Sequence, residues 1–195
     1  MKHLFHTLIK TSTTKLMNPT RRQIIQIASA GAAGVCGIPV WAQGVVSDIQ
    51  KGDLLMSAKG DIKQPLKVQD IPIGVKPVMA YAMDPATQKL RDATRMDKLL
   101  LLRFDEAELT PEAKAIAVSG VLAFSAICTH QGCEVTEWSK NDKSLLCFCH
   151  LSKFNPLQTG SVVKGPASKS LPWIGLASDN EVLVINSGFS AKPGA

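Results

Sequence analysis

Beyond residue 42, every cysteine and every histidine of the chain lies between Cys128 and His150. That window holds Cys128, His130, Cys133, Cys147, Cys149 and His150, and the only others are Cys36, His3 and His6. Ligand-capable residues gathered so tightly read as a metal site, a disulfide, or both. The spacing is paired. Cys128 and His130 form a Cys-x-His step, Cys147 and His150 a Cys-x-x-His step, and each box holds one further cysteine, Cys133 or Cys149. Two thiolates with two imidazoles suit tetrahedral zinc or an iron–sulfur cluster of mixed ligation. A disulfide with a purely structural role is the remaining reading.

The rest of the body predicts an all-β domain. Short β runs separated by turn residues are expected at Val78–Ala82, Lys98–Phe104, Val121–Ile127, Leu145–Cys147, Ser161–Val163, Ile174–Ala177 and Val182–Ile185. Ser178-Asp179-Asn180 predicts a tight turn between the last two. Thr110-Pro111-Glu112 reads as a helix start, with Thr as N-cap and Pro at the first helical position. Tyr81 and the Leu99–Leu102 run read as core, and Trp138 and Trp173 as packing residues. Both boxes fall in loops, each delivered by a strand. Lys153 and Lys164 read as solvated surface, with a docking role as the sharper alternative.

The boxes Cys128-Thr129-His130-Gln131-Gly132-Cys133 and Cys147-Phe148-Cys149-His150-Leu151-Ser152 closely resemble those of the Rieske family. That family's pattern is Cys-Thr-His-x-Gly-Cys, then Cys-x-Cys-His-x-Ser. The resemblance covers about residues 118–188 well and 44–117 loosely. It implies the Rieske fold: an antiparallel β-sandwich base with a small cluster-binding subdomain, about 121–175, within a domain spanning 43–195. It implies one [2Fe–2S] cluster, with Cys128 and Cys147 on one iron and His130 and His150 on the other. It pairs Cys133 with Cys149 in a disulfide, and it matches Gly165-Pro166-Ala167 to a third loop that covers the cluster. Neutral imidazoles leave less negative charge on such a cluster than four thiolates would, which raises its potential.

The second box departs from the quinol-oxidising branch of the family, which reads His-Gly-Ser-x-Tyr. Here the residues are His150-Leu151-Ser152-Lys153-Phe154. Ser152 retains a hydroxyl to donate to a bridging sulfide, whereas Phe154 has none to offer a thiolate. Fewer donors imply a lower potential. The segment running on to Asn155-Pro156 resembles the small subunit of arsenite oxidase, while Gly165-Pro166-Ala167 resembles the cytochrome bc branch.

Charge separates the leader from the body. Five of the 22 Lys and Arg residues lie in 1–42 with no acid beside them, leaving 17 against 16 acidic residues in 43–195. The body is nearly neutral, so nucleic-acid binding is not expected. Arg21-Arg22 before the low-polarity run Ile24–Ala42 resembles a twin-arginine export signal. As a helix that run would span about 28 Å, close to a bilayer core. An N-terminal hydrophobic helix retained as an anchor is expected, with Trp41 at the interface. Cleavage after Val40-Trp41-Ala42 is the alternative and would leave a soluble periplasmic form. Met17 makes a more typical start than Met1, and Cys36 reads as an inert thiol.

These readings converge on an exported electron carrier. The expectation is the iron–sulfur subunit of a quinol–cytochrome c reductase-like complex. It would sit on the cytoplasmic membrane with its domain in the periplasm. Cytochrome b or c would be the redox partner, quinol a possible donor, and His130 and His150 the electron ports. The alternative is the electron-transfer small subunit of a periplasmic oxidoreductase of the arsenite-oxidase kind, with a large catalytic subunit as partner. A terminal oxygenase would need histidines for a mononuclear iron, and the body has none outside the boxes.

Overall fold

The computed structural model describes residues 48–59 and 64–194. The expected N-terminal helix, export signal, cleavage site and Cys36 lie outside the described residues. Among those residues no helix is long and apolar enough to cross a membrane. The strands are β1 (Leu54–Ser57), β2 (Val78–Met83), β3 (Leu90–Arg91), β4 (Leu99–Arg103), β5 (Val121–Ser125), β6 (Glu137–Ser139), β7 (Ser144–Cys147), β8 (Ser152–Asn155), β9 (Ser161–Lys164), β10 (Trp173–Asp179) and β11 (Val182–Phe189). Among the described residues one α-helix, α1 (Pro111–Ile116), follows β4.

The larger sheet runs β1-β11-β10-β5-β4-β2-β3, and β1 also pairs with β2. That second pairing, from Leu54↔Met83 to Ser57↔Ala80, closes six strands into a barrel-like ring, with β3 attached outside on β2. The expected two-sheet sandwich is corrected to this closed sheet. Closure removes free edges from the ring, where unpaired backbone groups would otherwise invite other strands. The four short strands β6-β7-β8-β9 make a separate antiparallel sheet. In sequence it lies between β5 and β10, which are themselves neighbours in the ring.

Two cores share strands β4 and β5. Leu99, Leu101, Val121 and Ala123 point into the ring with Leu55, Ala80, Ile174 and Ile185. Leu100, Leu102, Leu122 and Phe124 point the other way, onto Leu145, Phe154, Leu171 and α1. Successive side chains of a strand face opposite sides, so a strand buried on both faces reads as an unbroken apolar run. Leu99–Leu102 is such a run, each residue at most 2% exposed. Burying a leucine is worth about 1.5–3 kcal/mol, so this strand welds the ring to the smaller sheet.

The helix begins as its sequence predicts. Thr110 Oγ1 accepts from the Ala113 backbone N–H at 3.3 Å, with Pro in the first turn. The β10–β11 turn sits slightly later than expected. Asp179 pairs with Val182, and Asn180 and Glu181 both have positive φ, 48° and 71°. Two left-handed residues match the twist of a tight hairpin. Tyr81 is half-buried rather than core: it lines an open cavity with Lys98 and Glu134. Trp138 stacks obliquely on Phe104, their ring centroids 5.8 Å apart.

Candidate metal centre

The first box is a closed loop between β5 and β6. Ile127 and Glu134 form a bridge at its base. The Cys128 N–H donates to the Cys133 carbonyl at 2.8 Å, and the Gly132 N–H donates to the Cys128 carbonyl at 3.0 Å. The second box is the β7–β8 hairpin loop. Cys147 pairs with Ser152, and Phe148-Cys149-His150-Leu151 spans the gap. Leu151 turns the chain back with φ 60°, a left-handed conformation that a bulky residue rarely adopts. The third loop leaves β9 at Gly165, φ 98°, and lies flat on the second. A Cβ on Gly165 would sit 2.5 Å from Ser152 Cα and 2.8 Å from the Leu151 carbonyl oxygen.

Three links hold these loops together. Cys133 and Cys149 form a disulfide with Cα atoms 6.5 Å apart, joining the first box to the second. Ser152 Oγ accepts from the Ala167 N–H at 3.1 Å, joining second to third. Thr129 Oγ1 donates to the Lys169 carbonyl at 2.6 Å, joining first to third. Ser152 is fully buried and accepts with its oxygen, which leaves its own proton free to donate.

The four remaining Cys and His residues of the boxes come together as two pairs, thiol with thiol and imidazole with imidazole. Cys128 and Cys147 are free thiols, each at most 2% exposed. Burial pushes the Cys128 thiol above its ordinary range; the His130 backbone N–H works against this, and the neighbouring Cys147 adds to it. The Cys147 sulfur lies within 4.8 Å of both disulfide sulfurs. The imidazoles of His130 and His150 meet edge to face, centroids 4.7 Å apart. His130 Nδ1 is buried without a hydrogen-bond partner, an orphan of a kind rare in native proteins.

A family model described as the Rieske [2Fe–2S] domain matches residues 80–175, a span that contains both boxes and the third loop. The chain carries a Rieske [2Fe–2S] domain. A protein named putative respiratory nitrate reductase subunit Rieske, from Haloferax mediterranei, is 37% identical over 90 residues, 46% of this chain and 40% of that one. The cytochrome bc1 complex Rieske iron-sulfur subunit of Corynebacterium glutamicum is 34% identical over 98 residues, 49% of this chain and 24% of that one. The cytochrome b6-f complex iron-sulfur subunit of Prochlorococcus marinus is 39% identical over 67 residues, 34% of this chain and 36% of that one. The matched region thus spans less than half the length of each of these three relatives.

The residues of this Rieske domain fit a [2Fe–2S] cluster. Two buried cysteines are left out of the disulfide, and a buried ring nitrogen lacks a hydrogen-bond partner. Metal ions would meet both needs, since a coordinated thiol is deprotonated and neutral imidazole is a ligand. Phe154, fully buried, lies opposite Leu145 on β7 and shares the buried face of β8 with Ser152. Gly165 is the close-packing point of the third loop, and Pro166 is exposed beside it. Sequence reasoning missed the tie from Thr129 to Lys169, because nothing local marks which carbonyl a threonine will reach across 40 residues. It also missed β8. The alternation Ser-Lys-Phe-Asn, buried and half-buried in turn, was the available signal.

Proposed function

We propose that Cys128, Cys147, His130 and His150 hold the cluster, and that the chain moves single electrons as the iron–sulfur subunit of a quinol–cytochrome c reductase-like respiratory complex. The observation that carries the ligand assignment is the edge-to-face meeting of His130 and His150, with His130 Nδ1 buried and without a partner, on two loops that each also supply one buried free thiol. When bound, the cluster supplies one-electron chemistry at a potential raised by its imidazole ligands. The protein's own groups do the rest. The buried thiols keep water from one side of the site. The exposed His150 leaves a ring edge at the surface, where its outer nitrogen, once its own proton has left to solvent, would accept a hydrogen bond and then a proton from a quinol hydroxyl. Three inter-loop ties hold the ligands in one arrangement as charge changes.

Assignment to a bc-type complex draws on the relatives from cytochrome bc1 and b6-f complexes. A second reading, the electron-transfer subunit of a respiratory or periplasmic oxidoreductase of the arsenite-oxidase kind, draws on two observations. One is the relative named for nitrate reductase; the other is the Leu151–Pro156 segment. For either role the leader is expected to export the folded domain and anchor it to the cytoplasmic membrane.

The ligand set is tested by paramagnetic resonance and by iron and sulfide analysis of the purified protein. The reduced protein should show the signal of a mixed-ligand [2Fe–2S] centre, and Cys128→Ser or His150→Ala should abolish it. A colourless protein holding zinc without sulfide overturns the assignment. Affinity isolation from native membranes separates the complexes: b-type haem in the eluate supports the first, a large catalytic subunit without it the second.

A further inference from the structure

We propose that the face around His150 docks an electron-exchange protein whose surface has an apolar centre ringed by carboxylates. This rests on the electron-transfer reading above and names the chemistry of the partner.

The apolar centre of the face comes from the second box. Phe148 is 62% exposed and Leu151 59% exposed, one on each side of the exposed His150. Leu151 also holds a left-handed backbone, φ 60°, which glycine would adopt without strain. Its side chain stands mostly in solvent, so little packing within the described residues offsets that strain. A partner's apolar surface would.

Charge selects the partner. The loops Cys128–Cys133, Cys147–Ser152 and Val163–Ser170 contain no acid; their only charged residues are Lys164 and Lys169. Both lysines are exposed, and neither is in an ion pair among the described residues. The third loop carries them against the other two, through Gly165 on Ser152 and Lys169 on Thr129. Arg95 adds a third cation outside the ion pairs among the described residues: its Nη2 lies 3.3 Å from where a Cβ on Gly132 would stand. Of the three acids nearest to the boxes in sequence, Glu137 stands on β6 outside the ion pairs among the described residues, and the other two are occupied. Glu134 holds Lys98 at 2.9 Å, and Asp142 holds Lys153 at 2.6 Å. Lysine 153 is therefore not part of the ring, whereas Lys164 is. A second copy of this chain is a poor occupant, since two such faces would oppose like charges. Opposite charges raise encounter rates at low salt, and the apolar centre excludes water once the surfaces meet.

The test uses the full-length holoprotein in detergent, reduced and mixed in a stopped-flow instrument with two probes. One is native, lysine-rich cytochrome c; the other is cytochrome c with its lysines succinylated to carboxylates. The readout is the sign of the salt dependence, which differences in acceptor potential do not set. The succinylated probe should react more slowly as salt rises, by about tenfold or more, and the native probe should not. Lys164→Glu with Lys169→Glu should invert this pattern while the leader's charges stay the same. Leu151→Gly should keep the resonance signal, because glycine accepts the backbone, and should slow both probes several-fold at high salt. Equal salt dependence for the two probes overturns the charged ring, and an unchanged rate for Leu151→Gly overturns the apolar centre. A wild-type protein with no cluster signal fails the electron-transfer reading instead.

Discussion

Ser152 and Phe154 occupy the same buried face of β8, yet they bear differently on the cluster that Cys147 is proposed to hold. Ser152 has a proton to donate; Phe154 has none. A donor to a cluster sulfur stabilises the electron-rich reduced state, and about 59 mV corresponds to a tenfold change for one electron. Ser152→Ala should lower the potential by a shift on the order of that tenfold. It should also cost about 1–3 kcal/mol of stability, because the Ala167 N–H loses its acceptor in a buried place. Phe154→Tyr should raise the potential by a similar step if the new hydroxyl meets a ligand thiolate. Film voltammetry with a thermal melt decides this. Lost stability with an unmoved potential means that the hydroxyl found no sulfur. Gly165→Ala is the backbone counterpart. Its φ of 98° and its approach to Ser152 leave no room for a Cβ, so the third loop must shift, at a cost of at least about 1 kcal/mol.

At the scale of elements, three loops that share little regular structure act as one unit because of a disulfide and two hydrogen bonds. The disulfide bridges a sequence separation of 16, and a cross-link of that span is worth about 3 kcal/mol in the chain-entropy account. Cys133→Ser should therefore lower the melting midpoint and shorten the lifetime of the cluster's visible absorbance, with some cluster still assembled. An unaltered lifetime would show that the hydrogen bonds alone hold the loops. Thr129→Val removes one tie without touching the disulfide; its expected loss is smaller, about 1 kcal/mol.

Across the whole molecule, the two cores divide the labour. The ring core holds none of the proposed ligands, whereas the second core includes two of them, Cys128 and Cys147. Losing the metal should therefore loosen one side of the protein and spare the other. After iron is stripped by a chelator, amide hydrogen exchange should stay slow in β1, β2, β4 and β11. It should accelerate in Cys128–Cys133, Cys147–Ser152 and the third loop. A uniform rise in exchange would mean that the cluster supports the ring as well, and that the β4–β5 weld transmits the loss.

The residues of the candidate site were legible in the chain because ligand chemistry is local. Cys-x-His and Cys-x-x-His steps, each with a spare cysteine, admit few chemistries, and the seven expected strands follow from short apolar runs between turn residues. The Leu99–Leu102 run also announced burial on both faces. What it could not announce was the second surface it would meet, since the smaller sheet begins only at Glu137. Closure of the ring was equally hidden: β1, Leu-Leu-Met-Ser, lacks alternation, and its two neighbours come from distant parts of the chain. Leu151 shows the same division. Its identity as a departure from glycine is in the sequence, but its positive φ and exposure exist only once Cys147 pairs with Ser152 and the hairpin closes. Local chemistry follows from residue type and spacing; strain, burial and the ties between loops depend on which distant segments the fold brings into contact.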